Sequence, residues 1–200
     1  MTIRAVFFDL GGVILRTEQP ARRTDLALSL GLTYKEIDRA VFENDSSRQA
    51  SLGLISEDQH WLNVAASLHL PEDRIENLRF EFFAGDQLDL TLVDLMRSLR
   101  PAVRVGLISN AWNGLRAWIT KQGFADTFDD MLISAEIGIA KPDARIYQAA
   151  MQNLHVLPHE SVFLDDTLRN VEAARMLGMH AIHFQQPSHA IAELKVLLAA

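Results

Sequence analysis

The sequence predicts an α/β protein, a parallel β-sheet covered on both faces by helices to make three layers, with a helical unit inserted after the first strand. Three observations carry this. Short, near-continuous hydrophobic runs recur at 3–8, 103–109, 131–134, 161–164 and 180–184, the pattern of strands buried on both faces. Segments with helical periodicity, such as 144–154 and 168–177, separate the later runs, and strand alternating with helix calls for a parallel sheet. The alternation lapses between about 16 and 85, where one helix signal follows another.

In chain order, the run Ile-Arg-Ala-Val-Phe-Phe at 3–8 is β-branched and aromatic and stops at the turn signal Asp9-Leu10-Gly11-Gly12. The inserted stretch then carries a capping box at Thr33-Tyr-Lys-Glu36 and another at Ser56-Glu-Asp-Gln59. Pro71 stands at a first-turn position of a helix that Gly85 stops. Four or five helices fit there. Trp61 and the group Phe80, Phe82 and Phe83 are expected to pack these helices together, some of them over the roof of a pocket. The division expected is therefore a core of 1–15 and 86–200 with a cap of 16–85. No repeat, low-complexity tract or long charge run interrupts it.

Composition narrows the chemistry. Of 200 residues, 48% are hydrophobic and 22% charged, and 19 Lys and Arg against 26 Asp and Glu give a net charge of −7. A general nucleic-acid binder carries the opposite sign. With no cysteine, disulfides, zinc-thiolate sites and a thiol nucleophile are excluded. The first apolar run is broken by Asp9, far short of a signal sequence or membrane span, so a cytoplasmic protein with no membrane partner is expected. Its oligomeric state is not legible.

Ligands of open parallel sheets bind beyond the carboxyl ends of the strands. The residues there are Asp9, Gly11 and Gly12 after the first strand, Ser109 and Asn110 after the second, Gly138-Ile-Ala-Lys141-Pro142 after the third, and Asp165 and Asp166 after the fourth. An aspartate after a strand is commonly a turn residue or helix cap. Two adjacent carboxylates at a buried strand end, however, call for a cation. The set suits phosphoryl transfer: a carboxylate nucleophile, Mg²⁺ on Asp9 and Asp166, and Lys141 and Ser109 against the transferring group. Lys141 is one of only four lysines. His180 and His183, three apart on a strand, face opposite ways and share no metal. Trp112 follows the Ser-Asn loop and is a candidate for substrate contact, core packing or cap contact.

Phe-Phe-Asp9-Leu-Gly-Gly-Val-Ile, Leu-Ile-Ser109-Asn110, Lys141-Pro-Asp-Ala-Arg-Ile-Tyr and Val-Phe-Leu-Asp165-Asp166-Thr-Leu-Arg-Asn170-Val resemble, in order, the four motifs of the haloacid dehalogenase-like hydrolase superfamily. The resemblance covers the whole chain, with the insert similar to that superfamily's first-type helical cap over a Rossmann-like core. The Asp-Leu-Gly-Gly opening is similar to glucose-1-phosphatase-like proteins, and the later motifs to the phosphatase domain of soluble epoxide hydrolases. The resemblance implies that Asp9 forms an aspartyl-phosphate that water cleaves. It implies Mg²⁺ on the Asp9 carboxylate, the Gly11 carbonyl and Asp166. Asp165 is implied beside Lys141, Asn170 near the metal's waters, and Ser109, Asn110 and Lys141 on the substrate.

One position departs from the pattern. Phosphatases of the superfamily usually carry a second aspartate two residues after the nucleophile, where this chain has Gly11. The carbonyl remains, but the acid/base carboxylate is missing; a water or a cap carboxylate such as Glu18 is a candidate replacement. The expected function is a Mg²⁺-dependent phosphatase for a small phosphomonoester, a sugar phosphate being one class. Its rivals are a dehalogenase using the same aspartate, which needs no leaving-group acid, and a non-catalytic binding or regulatory protein. A phosphonatase needs a cap lysine, and the only one there is Lys35, inside a capping box.

Overall fold

The computed structural model describes residues 2–199. The chain runs β1 (Ala5–Phe8), β2 (Leu15–Thr17), then helices α1 (Pro20–Ser29), α2 (Tyr34–Phe42), α3 (Asp45–Ser51), α4 (Glu57–Ser67) and α5 (Ile75–Phe83). After β3 (Asp86–Leu88) come α6 (Leu90–Leu99), β4 (Arg104–Ser109), α7 (Leu115–Lys121), β5 (Asp130–Ile133), α8 (Ser134–Ile137) and α9 (Ala144–Asn153). The end is β6 (Ser161–Asp165), α10 (Leu168–Met176), β7 (His180–His183) and α11 (Pro187–Ala199). The five core strands lie within two residues of the hydrophobic runs that announced them.

Five strands form one parallel sheet in the order β5-β4-β1-β6-β7. The chain steps outward from β1 through β4 to β5, then returns to β1's other side for β6 and β7, so strand order reverses at β1 and Asp9 stands just beyond that point. Alternation divides the sheet's side chains. Val6 and Phe8 join Val105, Leu107, Val162 and Leu164 under α6, α7 and α11. Ala5 and Phe7 join Ile108 and Phe163 under α9 and α10. Gly106 lacks a side chain because one there would overlap the Phe7 ring.

The helices α1–α5 enclose a separate core of Leu26, Ile37, Val41, Trp61, Val64, Leu78 and Phe82. Both crossings into them run through an antiparallel ribbon that pairs Leu15 with Leu88 and Thr17 with Asp86. The Thr33–Glu36 capping box is complete. At Ser56 only half of one forms, because Ser56 caps Gln59 N while the Gln59 side chain turns to Asn63. Pro71 precedes a short 3-10 turn rather than opening α5 directly. Gly85 answers to a close approach, since a side chain there would overlap the Gln19 carbonyl. Phe80 is 73% exposed, two positions from both Leu78 and Phe82 and so on the far face of α5; Phe82 and Trp61 are fully buried as expected.

Among the described residues, no helix is long and apolar enough to cross a membrane.

Candidate active site

The strand ends bring the polar residues to one edge. Asp9 follows β1 directly, with its backbone N–H donating to the Leu164 carbonyl of β6 at 2.9 Å. Asp165 closes β6 and Asp166 follows it. One carboxylate oxygen from each of Asp9, Asp165 and Asp166 lies within 4.8 Å of the others. The Lys141 ammonium bridges two of them, 2.9 Å from Asp9 Oδ1 and 2.6 Å from Asp165 Oδ2. Its Nζ also lies 5.3 Å from the Phe163 ring centroid, an added cation–π contact.

The three carboxylates are not equivalent. Asp165 is fully buried and saturated: Thr167 N–H donates to Oδ1, Lys141 to Oδ2, and Asn170 Nδ2 to both. Asp9 accepts from Leu10 N–H and Lys141 on Oδ1, which leaves Oδ2 for an incoming group. Burial pushes the Asp9 carboxyl up to about 7, against the pull of Lys141 and with Asp165 adding to the rise. Asp166 is exposed, yet its carboxyl is likewise raised, by desolvation first and by Asp165 second. Three carboxylates against one ammonium leave an excess of negative charge.

Around this cluster, Ser109 ends β4, buried, with its Oγ free of hydrogen bonds among the described residues. The exposed Asn110 binds back to the main chain of Lys141: Nδ2 donates to the Lys141 carbonyl at 2.9 Å and Oδ1 accepts from Lys141 N–H at 2.7 Å. Asn110, expected on the substrate, also clamps the lysine's backbone. Asn170, expected near the metal's waters, spends its amide on Asp165 and sits almost fully buried. Gly11 is exposed, and its carbonyl accepts no hydrogen bond among the described residues while Gly12 N–H donates to Leu15. Glu18 pairs with Arg16 at 2.8 Å, and Arg16 also binds Asp89 and the Val13 carbonyl, so Glu18 is held at the ribbon. Lys35 is exposed.

Four further residues serve this edge. Gly12, at φ 72°, leaves the space the Asp166 carboxylate fills; the tandem glycine was its visible signal. Tyr147 OH donates to the Asn170 carbonyl at 3.0 Å and its ring packs edge-on to Phe163. His183 Nε2 lies 2.8 Å from the Asp166 carbonyl oxygen. Trp112 carries the Ser109–Asn110 loop to α2 and α4, its ring 4.5 Å from His60 and 6.0 Å from Phe42 between centroids.

Residues 3–178 match the model of the haloacid dehalogenase-like hydrolase family, and the chain belongs to that family. It is a hydrolase of phosphatase type. A Mycobacterium tuberculosis phosphatase is 30% identical over 90% of this chain and 87% of its own. A sesquiterpene phosphatase of Aspergillus oryzae is 26% identical over 98% and 97%, and a D-ribitol-5-phosphate phosphatase of Bacteroides thetaiotaomicron 24% over 98% of both. Other relatives are longer: the chain spans 7% of mouse acyl-CoA dehydrogenase family member 10 and 39% of rat bifunctional epoxide hydrolase 2. Among solved structures, a B. thetaiotaomicron family enzyme in complex with magnesium and inorganic phosphate superposes with TM-score 0.73 at 21% identity, over 94% of this chain and 98% of that one. An L-2-haloacid dehalogenase gives 0.75 at 20% over the whole of both. Likeness at that identity speaks for the fold.

Proposed function

We propose that the chain is a Mg²⁺-dependent phosphatase that moves the phosphoryl group of a small phosphomonoester onto Asp9 and then to water, with residues 16–85 as its cap. The observation that carries this is the free Oδ2 of Asp9 inside a three-carboxylate cluster bridged by one lysine. The donor set fits Mg²⁺: hard oxygens only, a main-chain carbonyl at Gly11 unpaired among the described residues, and negative charge in excess. Asp9, the Gly11 carbonyl and Asp166 would hold it, and the bound ion would screen the anionic substrate from these carboxylates.

Asp9 Oδ2 attacks phosphorus, the P–O bond to the organic group breaks, and the alkoxide takes a proton from solvent because position 11 supplies none. Lys141 holds Asp9 by Oδ1, which keeps the attacking oxygen oriented, and Asn110 and Asp165 hold Lys141. Ser109 Oγ donates to an oxygen of the phosphoryl group. Water then attacks the phosphorus of the acyl phosphate, releasing inorganic phosphate and restoring the carboxylate.

A dehalogenase built on Asp9 would expel halide without a proton donor, which suits Gly11. The exposed Asp166 against it is idle in a reaction that needs no metal, and this favours the phosphatase. Incubation with p-nitrophenyl phosphate and Mg²⁺ tests the reading, since p-nitrophenolate leaves without protonation. Release that stops in EDTA supports it. No release under either condition favours a binding protein, and release of halide from a 2-haloacid in EDTA favours the dehalogenase.

A further inference from the structure

The loop that leaves the catalytic edge after Ser109 and Asn110 meets the cap at Trp112, and what it meets is aromatic. Phe42, the last residue of α2, stacks on Trp112 with centroids 6.0 Å apart and planes 27° from parallel. Phe82 and Phe83 hold the same ring edge-on, at 5.3 Å and 6.3 Å. Phe42 is therefore fixed from behind, yet 43% of it stays exposed. The seam continues in the same character. The cap loop after α3 rests on α8, where a side chain on Gly53 would overlap the Ala135 carbonyl; Leu54 of that loop and Ile137 of α8 are 70% and 39% exposed. Leu168, two residues after Asp166, is 47% exposed. Among the described residues, Phe42, Leu54 and Ile137 are thus exposed large hydrophobic side chains along the seam between the helices and the sheet.

Several polar groups along that seam are already paired. Asn113 Oδ1 accepts from Glu57 N–H, the Glu57 carboxylate binds Arg79, and Arg116 binds Glu136. Ser46 Oγ lies between Asn44 Oδ1 and His60 Nδ1. His60 Nε2 and Trp61 Nε1 lack partners, but both side chains are fully buried beneath the rings. A polyol lying here would leave hydroxyls without partners, whereas apolar surface gains by contact with fixed rings.

Resting on the phosphatase reading, we propose that the organic part of the substrate is apolar and lies along this seam against Phe42 and Trp112, so that alkyl, prenyl or aryl phosphates are preferred to polyol phosphates. The seam displaces the sugar phosphates that the sequence alone left open. Relatives of both kinds exist, one named for a sesquiterpene and one for D-ribitol 5-phosphate, and the aromatic seam assigns this chain to the first chemistry.

Calorimetric binding of octyl phosphate and of ribitol 5-phosphate to the Asp9→Asn chain, with Mg²⁺ present, tests this without turnover. Both probes are primary phosphate esters, so they differ mainly in the organic part. Octyl phosphate should bind at least about tenfold more tightly, a difference of about 1.4 kcal/mol. Phe42→Gln in the same background should remove most of that ratio, and Phe42→Leu, which keeps apolar volume, should hold it within about threefold. Equal or weaker binding of octyl phosphate, or a ratio untouched by Phe42→Gln in a chain that melts as before, overturns the inference. The binding ratio stands whether or not the native chain hydrolyses p-nitrophenyl phosphate in Mg²⁺, so the two readings fail separately.

Discussion

The carboxylate of Asp166 occupies the space that a side chain on Gly12 would take. Gly12 sits at φ 72°, and a Cβ built there overlaps both Oδ2 and Cγ of Asp166. Gly12→Ala therefore acts twice: a non-glycine residue in the left-handed region costs about 1–2 kcal/mol, and Asp166 is pushed off its position. Urea unfolding should show the first effect. A Mg²⁺ titration of activity should show the second, as roughly a tenfold or greater rise in the half-saturating concentration, the size typical when a ligand's support is lost. Unchanged Mg²⁺ dependence would separate Asp166 from the metal.

Gly11 is the opposite case: nothing lies within 4 Å of a Cβ placed there, and its φ is outside the left-handed region. Gly11→Asp is expected to fold. If the missing carboxylate limits leaving-group departure, native rates fall steeply with leaving-group pKa, and the variant flattens that slope by supplying a proton donor, an aid worth ~10²–10⁴ for poor leaving groups. Log kcat/KM across a series of phosphate esters reads both slopes. A shallow slope in the native chain would show that another acid already serves it.

Removing the cation should stop the enzyme. In excess EDTA the substrate would face three carboxylates with only Lys141 to screen them, and Asp166→Ala should need far more Mg²⁺ for any activity it retains. Full hydrolysis in EDTA would count against the metal site.

His60 predicts how the helices α1–α5 respond to acid. Burial pushes its pKa from 6.5 down to about 4, so the folded chain keeps the ring neutral while the unfolded chain binds a proton below about pH 6.5. Its contribution to stability is therefore complete above 6.5 and is lost as pH falls toward 4. The urea midpoint should drop between about pH 7.5 and about pH 5 by more in the native chain than in His60→Gln. Equal drops would assign the acid sensitivity to other groups.

The core was legible because its strands are buried on both faces and so stand out as short hydrophobic runs, each ending in a polar residue at the same edge. Asp9, Ser109, Asp165 and Asp166 stand out that way, whereas Lys141 lies past α8, beyond the end of β5. The use made of Asn110 and Asn170 does not stand out. Both amides look free in a sequence, and only the fold brings Asn110 against the backbone of a residue 31 positions away and Asn170 under Asp165. The cap was legible as helices but not as a surface: Phe42 ends a helix like any packing residue, and its exposure depends on where α2 meets Trp112.

In the proposed mechanism Asp9 carries the phosphoryl group. Quenching the enzyme during turnover and treating it with borohydride converts an aspartyl-phosphate to homoserine, which peptide mass analysis locates. Homoserine is expected at position 9, dependent on substrate and Mg²⁺ and absent from Asp9→Asn, whose turnover should also fall by on the order of 10⁴-fold or more. Homoserine at Asp166 or Asp165 instead, or turnover persisting in Asp9→Asn, would contradict that mechanism.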